Sequence, residues 1–245
     1  MKIFRVQHRM TIAQTERSRG LLILVLAALT FFVLNLLPFG YLIQWPFVII
    51  TTFVHEMGHG LMAIFSGGNL IQIEIYQNAS GLAKTETVAG WRQAAIAASG
   101  LLAPSVIGGA FIIAGKSKQI SSRVFLVFSL FILVSCVLWV RSAFGLLVLL
   151  PTGALFLWIS QKGSAALQHF LIQFIGVHML VDTLTRTMSY LFSSSALVDG
   201  QSRHSDTAAI AQQLIGGHLF WACIIALLSI WIFYYSLRKT YLSRA

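Results

Sequence analysis

Seven apolar stretches, each within the length range that spans a bilayer, dominate the chain: 20–37, 42–65, 93–114, 124–140, 142–160, 165–192 and 214–237. A spanning helix needs about 20 mostly apolar residues. In hydrocarbon every backbone N–H and C=O must be bonded within its own segment or a closed barrel, so stretches of this length are expected to be helical. The composition excludes a soluble alternative. Of 245 residues, 57% are hydrophobic and 10% charged, where an ordinary soluble domain has about a quarter charged. Mean hydropathy is +0.81, and a soluble domain of this length could not hide that much apolar surface from water. The expectation is an all-α polytopic membrane protein, one integral membrane domain over 1–245, with six to seven transmembrane helices.

The leader 1–19 carries Lys2, Arg5, Arg9, Arg17 and Arg19 against the single Glu16. That bias predicts a cytoplasmic N-terminus in a cell (inner or plasma) membrane. Leu36-Leu37-Pro38-Phe39-Gly40 lacks the small-x-small pattern of a cleavage site, so the first span is expected to be retained. Seven strict crossings would put Lys116, Lys118, Arg123, Arg238, Lys239 and Arg244 outside, against the same rule. Six would return both ends to the cytoplasm. The net charge of +10 is accounted for by basic residues at helix ends, where they meet anionic lipid head groups. No aromatic-basic surface accompanies it, so a nucleic-acid partner is not expected. Cys136 and Cys223 are single residues within apolar runs and read as small core hydrophobes.

Two polar loops interrupt the pattern. In 69–89, Ile71, Ile73 and Ile75 alternate with Gln72, Glu74 and Tyr76, the period of a half-buried strand. Asn78-Ala79-Ser80-Gly81 supplies a turn, and Lys84 to Val88 can pair back. A small β-hairpin at the membrane surface is expected, with Asn78 serving the turn and not a sugar. The loop 193–213 is Ser-rich and polar and is expected to be irregular.

The chemistry lies in the second apolar stretch, at His55-Glu56-Met57-Gly58-His59. Histidines at i and i+4 stack on one helical face, so both imidazoles can reach one Zn²⁺. Glu56 is rotated by about 100° from His55, near enough to act on a zinc-bound water without being a ligand. Zinc brings the pKa of that water towards about 7, and a carboxylate beside it can take the proton and later deliver it to a leaving amine. Two histidines and a glutamate inside apolar sequence are costly without such a role. Gly58 and Gly60 permit close approach of a neighbouring helix or a substrate backbone, or simply serve helix packing.

A catalytic zinc site takes three protein ligands and keeps one position for water. Among seven acidic residues, Glu16 is in the leader, Glu74 and Glu86 in the hairpin, and Asp199 and Asp206 in the polar loop. Asp182 alone lies in a later apolar stretch, with His178 four residues before it and Arg186 four after. Asp182 is therefore the expected third ligand, with an ion pair to Arg186 as its competing role. His178 either coordinates in its place or hydrogen-bonds to Asp182. Asp206 is the other candidate, and its competing role is the N-cap of the last helix. His169 and His218 read as interfacial or packing residues.

The stretch FVHEMGHGLMAIFSGG, followed by IEIYQNASGLAKT, resembles the site-2-protease-like (M50) intramembrane zinc metalloproteases, most closely their M50B-like branch. ASGLLAPSVIGGA is similar to that branch's glycine-rich helix, and VDTLTR and HSDTAAIA to its late DT and SDA elements. The resemblance covers most of 53–221 and implies a zinc-dependent peptidase cutting membrane-embedded or membrane-edge segments. His55 and His59 would then be ligands and Glu56 the general base and acid. The family's third ligand is an aspartate in an N-P-D-G or L-D-G motif, where this chain has Val181-Asp182-Thr183. No PDZ-like insertion is present. The partners implied are the bilayer and a membrane-protein substrate, whose unwound chain could add to an edge strand at 71–76. The rival readings are a non-proteolytic relative with a structural or binding metal site and, more remotely, a transporter. The intact Glu56 argues against the first, and the absence of paired inverted halves against the second.

Overall fold

The computed structural model of the chain describes residues 2–87 and 89–242, with side chains described from Ser18 onward. The side chains of the basic leader before Ser18, and Val88 of the expected hairpin, lie outside the described residues. In order, the elements are helix α1 (Lys2–Leu36), α2 (Gly40–Phe65), strands β1 (Asn69–Ile75) and β2 (Gly81–Glu86), helices α3 (Trp91–Ala114), α4 (Lys118–Leu138), α5 (Ala143–Lys162) and α6 (Ala165–Phe192), strands β3 (Ser195–Val198) and β4 (Gln201–His204), the short helix α7 (Asp206–Gln213) and α8 (His218–Leu237). A wider-wound π turn, Arg238–Leu242, extends α8. Seven of these helices, all but α7, are long and apolar enough to cross a membrane. The chain is a multi-pass integral membrane protein.

Helices α2, α3 and α6 are the most enclosed spans, while α1, α5 and α8 are the least. The outward faces of those three are strongly apolar: Leu22, Leu29 and Phe32 on α1, Leu147 and Trp158 on α5, Leu227 and Trp231 on α8 are all exposed. Such continuous apolar surface is stable only against lipid. At the centre, Gly108 of α3 and Gly176 of α6 each lie against the other's carbonyl, where a methyl group would come within 2.8 and 2.9 Å. Small residues here let the two backbones meet.

Contacts at the helix ends show which ends lie together. Gly20 lies against the carbonyl of Gly115 and the ring of Tyr241. His169 Nε2 donates to the same Gly115 carbonyl at 2.7 Å, and Gln173 Nε2 to the Tyr241 hydroxyl at 2.8 Å. The start of the first span, the end of α3, the start of α6 and the end of α8 thus share one end of the bundle. The end of α2 lies at the other, beside the start of α3. The start of the first span in α1 and the end of α2 therefore lie at opposite ends of the bundle.

The first hairpin differs from the expectation in register and in place. Gly67, at φ +83°, adopts the left-handed turn that only glycine takes at little cost, and so ends α2 and reverses the chain. The strands then run back alongside α2. Leu70 packs on Gly60, and the Ala79 carbonyl accepts from Thr52 Oγ1 at 2.8 Å. A bulge between Leu70 and Gln72 shifts the pairing. Leu70, Ile73 and Ile75 point inward and Ile71 is left exposed, because the extra residue inverts the alternation before it. The outer edge of β1 is occupied: Ile73 N–H donates to the Trp139 carbonyl at 2.8 Å, and Arg141 N–H to the Ile73 carbonyl at 3.0 Å. Loop 193–213 is not irregular. Asp199 and Gly200, at φ +49° and +73°, form a two-residue turn with both φ positive, which matches strand twist and closes β3 on β4.

Ser142 ties two of these pieces together. Its Oγ accepts from Gly145 N–H at 3.3 Å, capping α5, and from Ile75 N–H at 2.8 Å, anchoring the end of β1. Ser142→Ala removes the cap and orphans a half-buried N–H. It should lower unfolding free energy by about 1–2 kcal/mol, read as a reduced denaturation midpoint in detergent micelles, with Ser142→Thr close to wild type.

Candidate metal centre

His55 and His59 share a face of α2 one turn apart, and their Nε2 atoms stand 3.1 Å from each other. Asp206 meets both, with Oδ2 at 3.0 Å from His55 Nε2 and Oδ1 at 3.4 Å from His59 Nε2. Among the described residues these three form the cluster of ligand atoms that one ion could hold, all lying within 4.8 Å of one another. Ligands bound tetrahedrally to Zn²⁺ at about 2.0–2.1 Å are separated by about 3.3–3.4 Å, so the spacing suits zinc. The proton positions suit it too. His59 Nδ1 lies 2.8 Å from the Ile96 carbonyl, which can only accept, so the ring nitrogen facing it carries the proton. A neutral His59 then presents a bare Nε2 to the cluster, its ring held in orientation by the hydrogen bond to Ile96. Imidazole lone pairs and a carboxylate converge on one point, an arrangement that a cation resolves.

Asp206 reaches the cluster from outside the spanning helices. It occupies the first turn of α7, whose N-cap is Ser205, accepting from Ala208 N–H at 3.3 Å. Ala94 and Ala97 of α3 pack with Ile210 of α7 in a small buried cluster, and those short side chains let α7 lie close enough for its first turn to meet α2. Burial opposes ionisation of Asp206, but without a cation in the cluster the charge on a protonated His59 and the hydrogen bonds from His55 and His59 outweigh it and hold the carboxyl well below the usual carboxylate range.

The structure corrects the expectation for Asp182. It stands apart from His55 and His59, with Oδ2 3.4 Å from Arg186 Nη2. The ion pair one turn along α6 satisfies the charge that suggested a metal ligand. His178 is also elsewhere, packed among the rings of Phe31, Phe47 and Phe174 with Nδ1 3.4 Å from Thr51 Oγ1. The place assigned to Asp182 belongs to Asp206. The sequence signal for it was Ser205-Asp206 opening an Ala-rich helix, read there as a simple cap.

Glu56, beside His55 on α2, faces the hairpin. Its Oε2 accepts from Ala83 N–H of β2 at 2.7 Å. Two glycines make room. A methyl on Gly81 would come within 2.6 Å of the Glu56 carboxylate, and one on Gly100 within 2.1 Å of the His59 ring. The four polar groups line a cleft of about 610 Å³. Its walls are β2, the start of α3, Arg186 and Tyr190 of α6, and the β3–β4 hairpin. Asp199 N–H donates to Ser80 Oγ at 3.3 Å, joining the two hairpins across the cleft. Since β1 is covered by the segment after α4, β2 carries the strand edge next to Glu56, not the 71–76 edge expected from sequence.

A family model described as Peptidase M50B-like matches residues 21–236. No curated protein and no solved structure matches the chain.

The glycine contacts make a direct test of this geometry. Gly100→Ala forces the His59 ring off the Ile96 carbonyl or pushes α3 away, and overpacking of this kind costs about 1–3 kcal/mol. The expected result is a lower thermal midpoint. Gly90→Ala, where a methyl meets nothing within 4 Å but the backbone sits at φ +97°, should destabilise without moving the His59 ring resonances.

Proposed function

The chain belongs to the Peptidase M50B-like family, and from that premise we propose that it is a zinc-dependent intramembrane endopeptidase. The observation that carries this is the meeting of His55, His59 and Asp206 at ligand spacing, with Glu56 in the same cleft. His55, His59 and Asp206 are the proposed ligands. Zinc bound there would supply a water of lowered pKa and a Lewis acid for the scissile carbonyl. Glu56 takes the proton of the attacking water and passes it to the amine nitrogen as the C–N bond breaks. The Ala83 N–H holds one Glu56 oxygen and leaves the carboxylate oriented. A substrate helix must be unwound before its peptide bond can be attacked, and the β2 edge at Gly81, the Ala83 carbonyl and Thr85 offers backbone groups to receive the extended chain.

Charge supports an orientation. The end of the bundle away from the cleft bears Arg19, Lys116, Lys118, Arg238 and Lys239, and the leader adds further basic residues. Glu74, Glu86 and Asp199 lie in the hairpins around the cleft. The positive-inside rule places the basic end, with the N-terminus, in the cytoplasm. The cleft then opens towards the opposite side, and the substrate is a membrane protein cut near that leaflet.

Purified protein should hold about one zinc per chain. Asp206→Asn should weaken zinc affinity by about 10-fold or more, in line with loss of a ligand, while Asp182→Asn keeps metal near normal. Glu56→Gln should retain zinc and lose cleavage of a membrane-tethered reporter. Full turnover in that variant would overturn the hydrolase reading.

Orientation is read separately in a Cys223→Ser background. Gln201→Cys should react with an impermeant maleimide added to intact cells, and Lys118→Cys should not. The reverse labelling would turn the protein over.

A further inference from the structure

Arg186 is costly where it stands. It belongs to a membrane-spanning helix, where a guanidinium requires compensation, and Asp182 supplies the opposite charge. The strongest Arg–carboxylate pairs are bidentate, with two parallel N–H···O bonds at about 2.7–2.9 Å. The contact here is a single one, Nη2 to Asp182 Oδ2 at 3.4 Å. The same Nη2 also lies 3.4 Å from Thr52 Oγ1. That hydroxyl has given its proton to the Ala79 carbonyl at 2.8 Å, so it faces Arg186 as an acceptor. Thr52 is one turn before Glu56 on α2, and Asp182 one turn before Arg186 on α6. The two together steer the guanidinium to the wall of the cleft that also contains Glu56, His55, His59 and Asp206. Its charge interacts with Glu56 as well as with Asp182. Tyr190, one turn further along α6, lines the same wall. Neither is needed to hold the metal, and neither has a part in the proton transfer assigned to Glu56.

We propose that Arg186 is a catalytic residue of this site, its guanidinium donating to the peptide carbonyl oxygen of the substrate as that oxygen becomes negative. The inference rests on the peptidase reading above. When the water oxygen bonds to the carbonyl carbon, the C=O electron pair moves onto oxygen. The water's proton goes to Glu56 and then to the departing nitrogen. Arg186 exchanges no proton. It supplies a fixed positive charge and N–H donors where negative charge grows, in a cleft walled by protein where such preorganised donors count most. Asp182 and Thr52 are positioning residues for it. They bind through one nitrogen at long range; with the Tyr190 hydroxyl as a third partner, these contacts leave part of the fork for a substrate carbonyl.

The test uses the zinc-loaded full chain in detergent, a quenched-fluorescence peptide substrate, and a phosphinic peptide whose tetrahedral anionic centre imitates the addition step. Arg186→Ala should cut kcat by about 100-fold, the loss seen when one oxyanion donor is removed, with KM and zinc content near wild type. Its affinity for the phosphinic peptide should fall in parallel with kcat/KM, while its affinity for an uncleaved substrate-like peptide holds. Arg186→Lys should recover part of the activity, and added methylguanidinium should raise turnover of Arg186→Ala but not of wild type. If Arg186→Ala loses zinc, or loses both peptides equally, Arg186 is structural and the proposal falls. Should that variant not fold, Arg186→Lys decides, since a structural cation predicts wild-type kcat and unchanged phosphinic affinity. Wild-type cleavage that Glu56→Gln abolishes but Arg186→Ala leaves untouched overturns Arg186 alone. A wild type that binds zinc yet cleaves nothing overturns the peptidase reading itself.

Discussion

The cost of keeping ionisable side chains inside an apolar bundle governs this structure. Hydrocarbon and packed helix interiors cannot solvate a lone charge, so each such group must meet a partner. Glu56 takes the Ala83 N–H, Asp182 takes Arg186, and Asp206 takes the two histidines. These pairings involve four elements, α2, β2, α6 and α7. They hold β2 to α2 and α7 to α2, and they keep an arginine at the cleft wall. Removing one partner leaves a charge or a donor stranded at that pairing.

The folded-back hairpin follows from that constraint. Glu56 lies in the middle of a helix, and a helix cannot satisfy a buried carboxylate from its own backbone, whose N–H groups are already bonded. A strand can, because its edge presents free N–H groups. Reversal at Gly67 brings β2 alongside, and Gly81 lets the strand come near enough for Ala83 to donate. The other edge of the hairpin is closed by residues 139–141 after α4. One device thus stabilises Glu56 and leaves the exposed edge where an unwound peptide would need it.

What was legible in the sequence was what periodicity and local chemistry encode. Seven long apolar stretches, His55 and His59 on one face with Glu56 beside them, and strands around Asn78-Ala79-Ser80-Gly81 all recur in the structure. What was not legible depended on tertiary packing. The bulge at Leu70–Gln72 turned Ile71 outward, and no local signal marks a bulge that pairing imposes. Asp199-Gly200 did carry a hairpin signal, but its serine-rich flanks lack the alternation that would have given it weight. The ligand exchange is the most instructive case. Asp182 drew attention because its charge was costly where it lay, and Arg186 met that cost one turn away. Asp206 is in polar sequence, where a carboxylate is unremarkable, and only α7 resting on Ala94 and Ala97 shows where it goes.

That Asp206 arrives on a short peripheral helix has a consequence for how such a site can work. A ligand on a spanning helix would be fixed as rigidly as the bundle. Asp206 instead ends the segment that begins at β3, and that segment is also the wall hooked to the first hairpin through Asp199 and Ser80. On the reading proposed above, an extended chain along β2 would lie against this wall, which also carries Asp206. Four residues of β4 link the hairpin tip to the first turn of α7, where the Asp206 oxygens stand 3.0 and 3.4 Å from the histidine nitrogens, a less direct hold than a spanning helix gives. Coordination to zinc would offset that freedom, since a bound ion holds all three ligands to distances set within about 0.2 Å. A metal held there would tie the α7 end of the roof to α2, as the Asp199–Ser80 hydrogen bond ties its tip to the first hairpin.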